Sequence, residues 1–287
     1  MKYNQINKTI FEICQDNSLN FVAKSIEIEK RLNTCNDAEI LSHIDHAGVI
    51  PECFDHDSTE EKVFAKYCDS LLARAFRILG LDAQTIPERS DAADVIAKQD
   101  KHTIVGDAKA FRLSRTAKNQ KDFKVESLDK WRKGADFACL VSPLYQYPNS
   151  NSQIYEQAIR YNVTLLSYTH LAFLIRNKTA LQKSGGLKPL WSIPKSLKTT
   201  KSADTYWTAI DNEIIRLLNK TSADWKSFVD EERKILPEKA NEQIAFWEEE
   251  KRRIANLSHD KAVEELLKAL KINAKIEIIK RTAGLED

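Results

Sequence analysis

The sequence lacks several features that would place the protein in a membrane or outside the cell. No run of apolar residues approaches the roughly 18 that are needed to cross a bilayer. No long apolar segment follows Met1, so we expect no signal peptide. The five cysteines are odd in number and none are spaced as Cys-x-x-Cys, which argues against a disulfide-stapled secreted domain. We therefore expect a cytoplasmic protein with no membrane partner.

The chain also lacks an excess of charge of one sign. It has 44 Lys and Arg against 42 Asp and Glu, for a net charge of +2, so a nucleic-acid-binding protein of this composition must concentrate its positive charge locally. Its 287 residues, 42% of them hydrophobic, are enough to bury a sizeable core. We expect a single unit over 1–287, made of a helical N-terminal part (1–57), a central core (58–176) and a mainly helical C-terminal part (177–287).

The spacing of apolar residues predicts helices at both ends of the chain. Residues 5–45 and the segment after about 204 repeat apolar positions at helical intervals. A further helix is predicted to begin at Ser58 or Thr59, where a hydroxyl can cap it, and to end at Gly80. The prolines and glycines between 185 and 194 predict an irregular connection.

Strands are predicted in the middle of the chain. Residues 93–98 and 103–109 form two short strand patterns joined by a connection that is short enough for a hairpin. The continuous apolar runs 137–141 and 163–167 are typical of buried central strands. The predicted fold is therefore α/β (α+β), with a mixed sheet flanked by helices.

Two acids and a lysine stand out on the predicted hairpin. Asp94 and Asp107 lie 13 residues apart on neighbouring strands, and Asp107 and Lys109 share one face of their strand. Carboxylates bind Mg²⁺, which polarises a phosphoryl oxygen and lowers the pKa of a bound water. Lys109 would orient or help deprotonate that water and offset charge on the phosphate. Glu61, in the first turn of the preceding helix, is predicted as an additional metal ligand. A solvated salt bridge is the competing interpretation of Asp-x-Lys, and the hairpin context favours catalysis.

A basic segment follows directly. Residues 109–133 contain nine basic and three acidic residues, a local charge of +6 beside the predicted metal site. Such a patch is what contact with DNA phosphates requires. Amide and cationic side chains within it can read base edges. The predicted DNA-binding residues are Arg112, Ser114, Arg115, Lys118, Asn119, Lys121 and Lys124.

These motifs resemble those of a known enzyme family. Asp94-Val95-Ile96-Ala97 followed by Asp107-Ala108-Lys109 resembles the PD-(D/E)xK nucleases, although Ala93 stands where the usual proline would be. More narrowly, the segment 111–125 is similar to the corresponding stretch of the HindIII family of type II restriction endonucleases. Further similar segments are 58–62, 146–148 and 262–267.

The resemblance implies a PD-(D/E)xK core with added helices, in a Mg²⁺-dependent homodimer that cuts double-stranded DNA. It implies a palindromic six-base site, AAGCTT if the match extends to specificity, and a cognate DNA methyltransferase as a genetic partner. By residue, it implies catalytic roles for Asp94, Asp107 and Lys109. It also implies a further functional acid at Asp122 and base readers at Asn119 and Lys121.

Two other functions compete with this interpretation. A catalytically silent DNA-binding protein could retain a nuclease-like core, but Asp94, Asp107 and Lys109 are all present, which argues against silence. A repair or recombination nuclease of the same fold would cut without sequence specificity. The polar residues beside the acidic motif favour a sequence-specific enzyme.

Overall fold

A five-stranded mixed sheet forms the centre of the protein in a computed structural model, which describes residues 1–86, 92–115 and 120–283. The strands follow one another in chain order across the sheet. The first three pair antiparallel and the last three pair parallel. They are β1 (Asp82–Thr85), β2 (Val95–Gln99), β3 (His102–Ala108), β4 (Phe137–Ser142) and β5 (Val163–Ser167).

Helices surround this sheet and occupy most of the chain, which confirms the predicted fold class. Two 3-10 turns, Tyr3–Gln5 and Leu144–Gln146, accompany them. The helices are α1 (Ile6–Gln15), α2 (Phe21–Asn33), α3 (Asp37–Asp45), α4 (Thr59–Ile78), α5 (Gln120–Phe123), α6 (Val125–Trp131), α7 (Gln153–Tyr161), α8 (Tyr168–Arg176), α9 (Lys178–Lys183), α10 (Lys188–Trp191), α11 (Ile193–Ser196), α12 (Ala203–Leu218), α13 (Ser222–Glu232), α14 (Ile235–Ala255), α15 (His259–Ala269) and α16 (Ile272–Ala283).

The predicted hairpin is confirmed as β2 and β3. Val95 pairs with Gly106, and the turn between the strands passes through Asp100, whose φ is +53°. Because Asp94 directly precedes β2 and Asp107 directly follows Gly106, this register brings the two acids to the same end of the hairpin. Asp94 and Asp107 thus become neighbours through local pairing alone.

Helix α4 begins and ends as the sequence predicts. The Ser58 side chain accepts a hydrogen bond from the backbone N–H of Glu61, and Gly80 follows the last turn with φ +89°. The helix crosses the sheet closely, since a Cβ at Gly106 would lie 3.1 Å from Cδ2 of Leu72. A glycine in β3 therefore allows the close approach of α4 to the strand that carries Asp107.

Two regions differ from the sequence predictions. The predicted irregular connection contains two short helices, α10 and α11, because Pro189 and Pro194 lie in their first turns, where a missing N–H is tolerated. Strand β1 was not predicted, since its four residues include only one buried position.

The chain separates into two compact units, Met1–Ala240 and Asn241–Asp287. The first contains the sheet and the hydrophobic core. In the second, the Arg253 guanidinium pairs with Glu265, and helices α15 and α16 contain no buried residue. Within the described ranges, no helix is both long enough and apolar enough to span a membrane.

Candidate active site

Asp107 is the most buried acid of the predicted site. It lies near the carboxyl end of β3, opposite Leu140 of β4, and only 1% of its surface is exposed. Burial raises the pKa of its carboxyl above the ordinary value, against the lowering effect of the neighbouring Lys109 ammonium. Its Oδ2 is buried, and the ammonium of Lys109 lies against it. Such an oxygen is suited to a cation.

Lys109 continues the line of β3, because its backbone N–H donates to the carbonyl of Val141 at 2.7 Å. Its Nζ lies 2.5 Å from Oδ2 of Asp107. Burial works against the charged form, but the carboxylate of Asp107 outweighs it and raises the pKa of Lys109. The hydroxyl of Tyr168 also donates to the Lys109 carbonyl at 3.2 Å. Lys109 is therefore a protonated, firmly placed ammonium beside the acid.

Asp94 lies at the start of β2 and contacts a lysine of α4. Nζ of Lys66 is 2.5 Å from Oδ1 of Asp94 and 3.4 Å from Oδ2 of Asp69. Burial opposes the charge on Lys66, but these two carboxylates raise its pKa above the ordinary value. A second ammonium thus neutralises this side of the site.

Asp69 is the third acid of the cluster, and the sequence does not predict it. Carboxylate oxygens of Asp69, Asp94 and Asp107 all lie within 4.8 Å of one another. Asp69 is 4% exposed, and burial followed by the charge of Asp94 raises its pKa well above the ordinary value. A sequence signal existed, because Asp69 interrupts the apolar face of α4 between Cys68 and Leu72, where an acid is rare unless it has a specific partner.

Glu61, predicted as a metal ligand, lies in a different group. Its carboxylate is 3.2 Å from Nη2 of Arg112, 3.3 Å from Nδ1 of His56 and 2.6 Å from the backbone N of Asp57. These contacts tie the loop before α4 to Glu61 and place a carboxylate beside the Arg112 guanidinium. The acids that the structure brings together are therefore Asp94 and Asp107 with Asp69, and Glu61 is not among them.

Arg112 is held inside the protein. Its guanidinium donates to the carbonyls of Pro51 and Phe54 at 3.0 and 2.6 Å and lies near Glu52 and Glu61. Most of its donors are thereby directed at the protein itself. This guanidinium ties the loop before α4 to the segment after β3, an arrangement that leaves few donors of Arg112 for the predicted DNA contact.

The other predicted DNA-binding residues occupy the surface beyond Arg112. Ser114 is exposed, and its backbone N–H donates to Glu52 at 3.2 Å. Arg115 pairs with Asp122 and lies over the ring of Phe111. Asp122 therefore does not join the acid cluster.

Two lysines complete the described part of this surface. Lys121 lies exposed on α5, and Lys124 is exposed with a left-handed backbone, at φ +52°. Burial raises the pKa of Asp107, and Lys124 is near enough for its charge to oppose that effect weakly. The predicted residues Lys118 and Asn119 fall outside the described residues.

This arrangement can bind a hard cation and place two ammonium groups beside it. The three carboxylates supply oxygen ligands of the kind that Mg²⁺ prefers, and Oδ2 of Asp107 is buried against a cation already, the Lys109 ammonium. An exposed basic surface lies next to them. Metal-assisted hydrolysis of a phosphodiester requires the same combination.

Comparison with known proteins agrees with this chemistry. The sequence profile of the HindIII restriction endonuclease family matches residues 4–283. A curated relative, the type II restriction enzyme HindIII of Haemophilus influenzae, is 36% identical over 254 residues, which cover 85% of this chain and 83% of the relative. The match extends through the acid cluster, the basic segment and the C-terminal helices. The chain belongs to the HindIII restriction endonuclease family.

Proposed function

We propose that this type II restriction endonuclease uses Mg²⁺ to cut both strands of double-stranded DNA at a palindromic six-base site, AAGCTT. The observation that carries the proposal is the group of Asp94, Asp107 and Lys109 at the carboxyl end of the central strand β3, followed in the chain by an exposed basic surface. The name of the curated relative supports the reaction class. At 36% identity, the six-base sequence itself rests on the resemblance of the 111–125 segment.

Asp94 and Asp107 would hold the metal, with Asp69 as a third carboxylate within 4.8 Å. A bound Mg²⁺ supplies Lewis-acid chemistry, since it polarises a phosphoryl oxygen and lowers the pKa of a bound water. The burial of Asp107 supports this assignment, because a buried carboxylate is stabilised when a cation compensates its charge. The three acids and the hard cation fit one another chemically.

Lys109 would stabilise charge on the phosphate. Its raised pKa keeps it protonated at neutral pH, and the ion pair with Asp107 fixes its direction. A protonated ammonium donates hydrogen bonds and offsets developing negative charge. In the metal-free protein, this state favours an electrostatic role for Lys109 over that of a base.

The basic surface would bind the DNA. Ser114, Arg115, Lys121 and Lys124 are exposed there, and Lys118 and Asn119 are assigned to the same surface from the sequence. Arginine and lysine suit guanine, and asparagine suits adenine. We leave Arg112 out of this set, because its guanidinium is engaged by backbone carbonyls. Affinity should fall steeply as salt rises, since phosphate contacts release counterions.

A homodimer would match a palindromic site, with one active site for each strand. The C-terminal unit is the surface we propose for this contact. In the described part of the chain, ten of the thirteen large hydrophobic side chains that are exposed lie there, where a second copy could bury them. They are Ile244, Trp247, Ile254, Val263, Leu266, Leu267, Leu270, Ile276, Ile278 and Ile279.

Digestion of phage-sized DNA tests the proposal. Purified protein is incubated with Mg²⁺ or with EDTA, and the fragment ends are sequenced. With Mg²⁺ alone, we expect discrete fragments whose ends, when they are placed side by side on the intact DNA, meet at AAGCTT. Discrete fragments whose ends meet at another hexamer would show that the recognition sequence is not AAGCTT. A smear would indicate a nuclease without sequence specificity. Intact DNA that shifts in a gel would favour the silent DNA-binding protein.

A further inference from the structure

Lys66 has no role in the reaction described above, yet its ammonium lies inside the acid cluster. Nζ is 2.5 Å from Asp94 and 3.4 Å from Asp69, whereas the ammonium of Lys109 contacts Asp107. The cluster therefore consists of three carboxylates and two ammonium groups. Each ammonium contacts a different part of it.

Lys66 lies where the cluster of three carboxylates needs a positive charge. Three carboxylates whose oxygens lie within 4.8 Å repel one another, and the two buried acids cannot be neutralised by water. An ammonium between Asp69 and Asp94 supplies the positive charge that this part of the cluster needs. The oxygens that face Nζ are also those that a divalent cation shared by the two acids would need.

We infer that Lys66 is an internal countercation that a divalent metal ion must displace, so that Lys66 sets the metal affinity of the enzyme. The inference rests on the metal site of the proposed function. An ammonium and a divalent cation repel each other and compete for the same carboxylate oxygens. Lys66 therefore stabilises the metal-free enzyme and weakens its affinity for metal.

The side chain of Lys66 can leave the cluster without burying its charge elsewhere. It is 21% exposed and is carried on a flexible four-carbon stem, so rotation about its bonds can bring the ammonium into water. Lys66 lies on α4 three residues before Asp69. Displacement of the lysine therefore requires no movement of the helix that carries the acid.

The test measures metal binding by the full-length protein without DNA. Free Mn²⁺ is followed by its electron paramagnetic resonance signal, and Mg²⁺ affinity is obtained by competition. We expect Lys66→Met to bind both ions about ten- to a hundredfold more tightly than wild type, the size of effect that groups beside metal ligands typically have. Lys62→Met is the matched control, because Lys62 is exposed one turn earlier on the same helix. Its affinity should stay at the wild-type value.

Thermal unfolding gives a second measurement. In EDTA, Lys66→Met should unfold at a lower temperature than wild type, and Mn²⁺ should restore more stability to the variant than to wild type. Unchanged or weaker Mn²⁺ binding by Lys66→Met would overturn the inference and make Lys66 a residue that positions the acids. In that case the proposed Mg²⁺ site would still stand, because the wild type would bind the metal.

A second variant decides the matter if Lys66→Met does not fold in EDTA. Lys66→Arg retains the charge and can hold a carboxylate with two hydrogen bonds, so it should bind Mn²⁺ more weakly than wild type. Equal or tighter binding would overturn the inference. If neither wild type nor either variant bound Mn²⁺, the proposed metal site would be rejected as well. Equal Mn²⁺ affinities of wild type and variants would reject only the inference about Lys66.

Discussion

Replacing Gly48 with alanine would test how the backbone beside the active site is held. Gly48 has φ +82°, and a Cβ there would lie 2.4 Å from Cγ of Pro143 and 2.7 Å from Cε2 of Tyr168. Neither neighbour can move cheaply, since one is a proline ring and the other is a buried aromatic ring. The hydroxyl of that ring donates to the carbonyl of Lys109 at 3.2 Å. The substitution therefore combines backbone strain with a steric clash next to a proposed catalytic residue.

The two contributions can be estimated separately. A left-handed backbone costs an alanine about 1–2 kcal/mol relative to glycine. Overpacking of a filled interior adds about 1–3 kcal/mol. We expect Gly48→Ala to lower the free energy of unfolding by about 2–5 kcal/mol. Gly80 provides the control, because its φ is +89° and no heavy atom of the described residues lies within 4 Å of its Cβ position. Gly80→Ala should lose only the backbone part, about 1–2 kcal/mol.

Urea unfolding, followed by circular dichroism and extrapolated to water, measures both variants. The Gly48 variant should be the less stable by about 1–3 kcal/mol. At a temperature where both variants are folded, it should also cleave DNA more slowly, because the clash displaces Tyr168 and with it the support of Lys109. Equal losses of stability in the two variants would refute the steric argument.

Four further predictions concern the acids and the basic surface. Asp107→Asn removes a proposed metal ligand and a charge that repels phosphate, so cleavage should fall by about a hundredfold or more while metal-free DNA binding in a gel shift is retained; unchanged turnover would contradict the assignment. Asp69→Asn removes a buried like charge, so the protein should melt at a higher temperature in EDTA and bind Mn²⁺ more weakly, and unaltered Mn²⁺ affinity would remove Asp69 from the site. Lys121→Ala should reduce discrimination between AAGCTT and its single-base variants, whereas an equal loss on all DNA would make Lys121 a phosphate contact. Burial, and next the charge of Asp45, raise the pKa of Glu232 to about 7, so its contribution to stability is present at low pH and lost as the pH rises through 7. Glu232→Gln should therefore raise the melting temperature at pH 8 by about 2–4 °C and leave it nearly unchanged at pH 4, below the ordinary carboxyl pKa, and equal shifts at both pH values would contradict this sign.

The part of the site that the sequence predicts is the part made by local pairing. Asp94 and Asp107 lie on one hairpin, and Asp107 and Lys109 lie two residues apart in an extended segment. Strand periodicity and a short turn are enough to bring these three side chains together. Asp69 comes from a helix that precedes β2, so its distance from Asp94 depends on how that helix crosses the sheet.

The same reason explains why Glu61 and Arg112 lie apart from the acid cluster and from the exposed basic surface. Glu61 and Asp69 both lie on α4, and the sequence offers the first-turn acid as readily as the one in the interior. The tight crossing at Gly106 selects Asp69, because it sets which turn of α4 lies over the end of β3. Arg112 belongs to the basic segment by sequence, but the carbonyls that bind its guanidinium come from Pro51 and Phe54, about sixty residues earlier.

The sequence by itself determined four of the five strands, the limits of α4, the pairing of two acids with a lysine and the concentration of positive charge after β3. These follow from periodicity, capping and turn chemistry, which act between residues that are close in the chain. Only the tertiary structure decided that Asp69 completes the acid cluster, that Lys66 lies among its carboxylates and that Arg112 faces inward. Each of these depends on the position of α4 or its preceding loop against the sheet, which long-range packing fixes and no local pattern encodes.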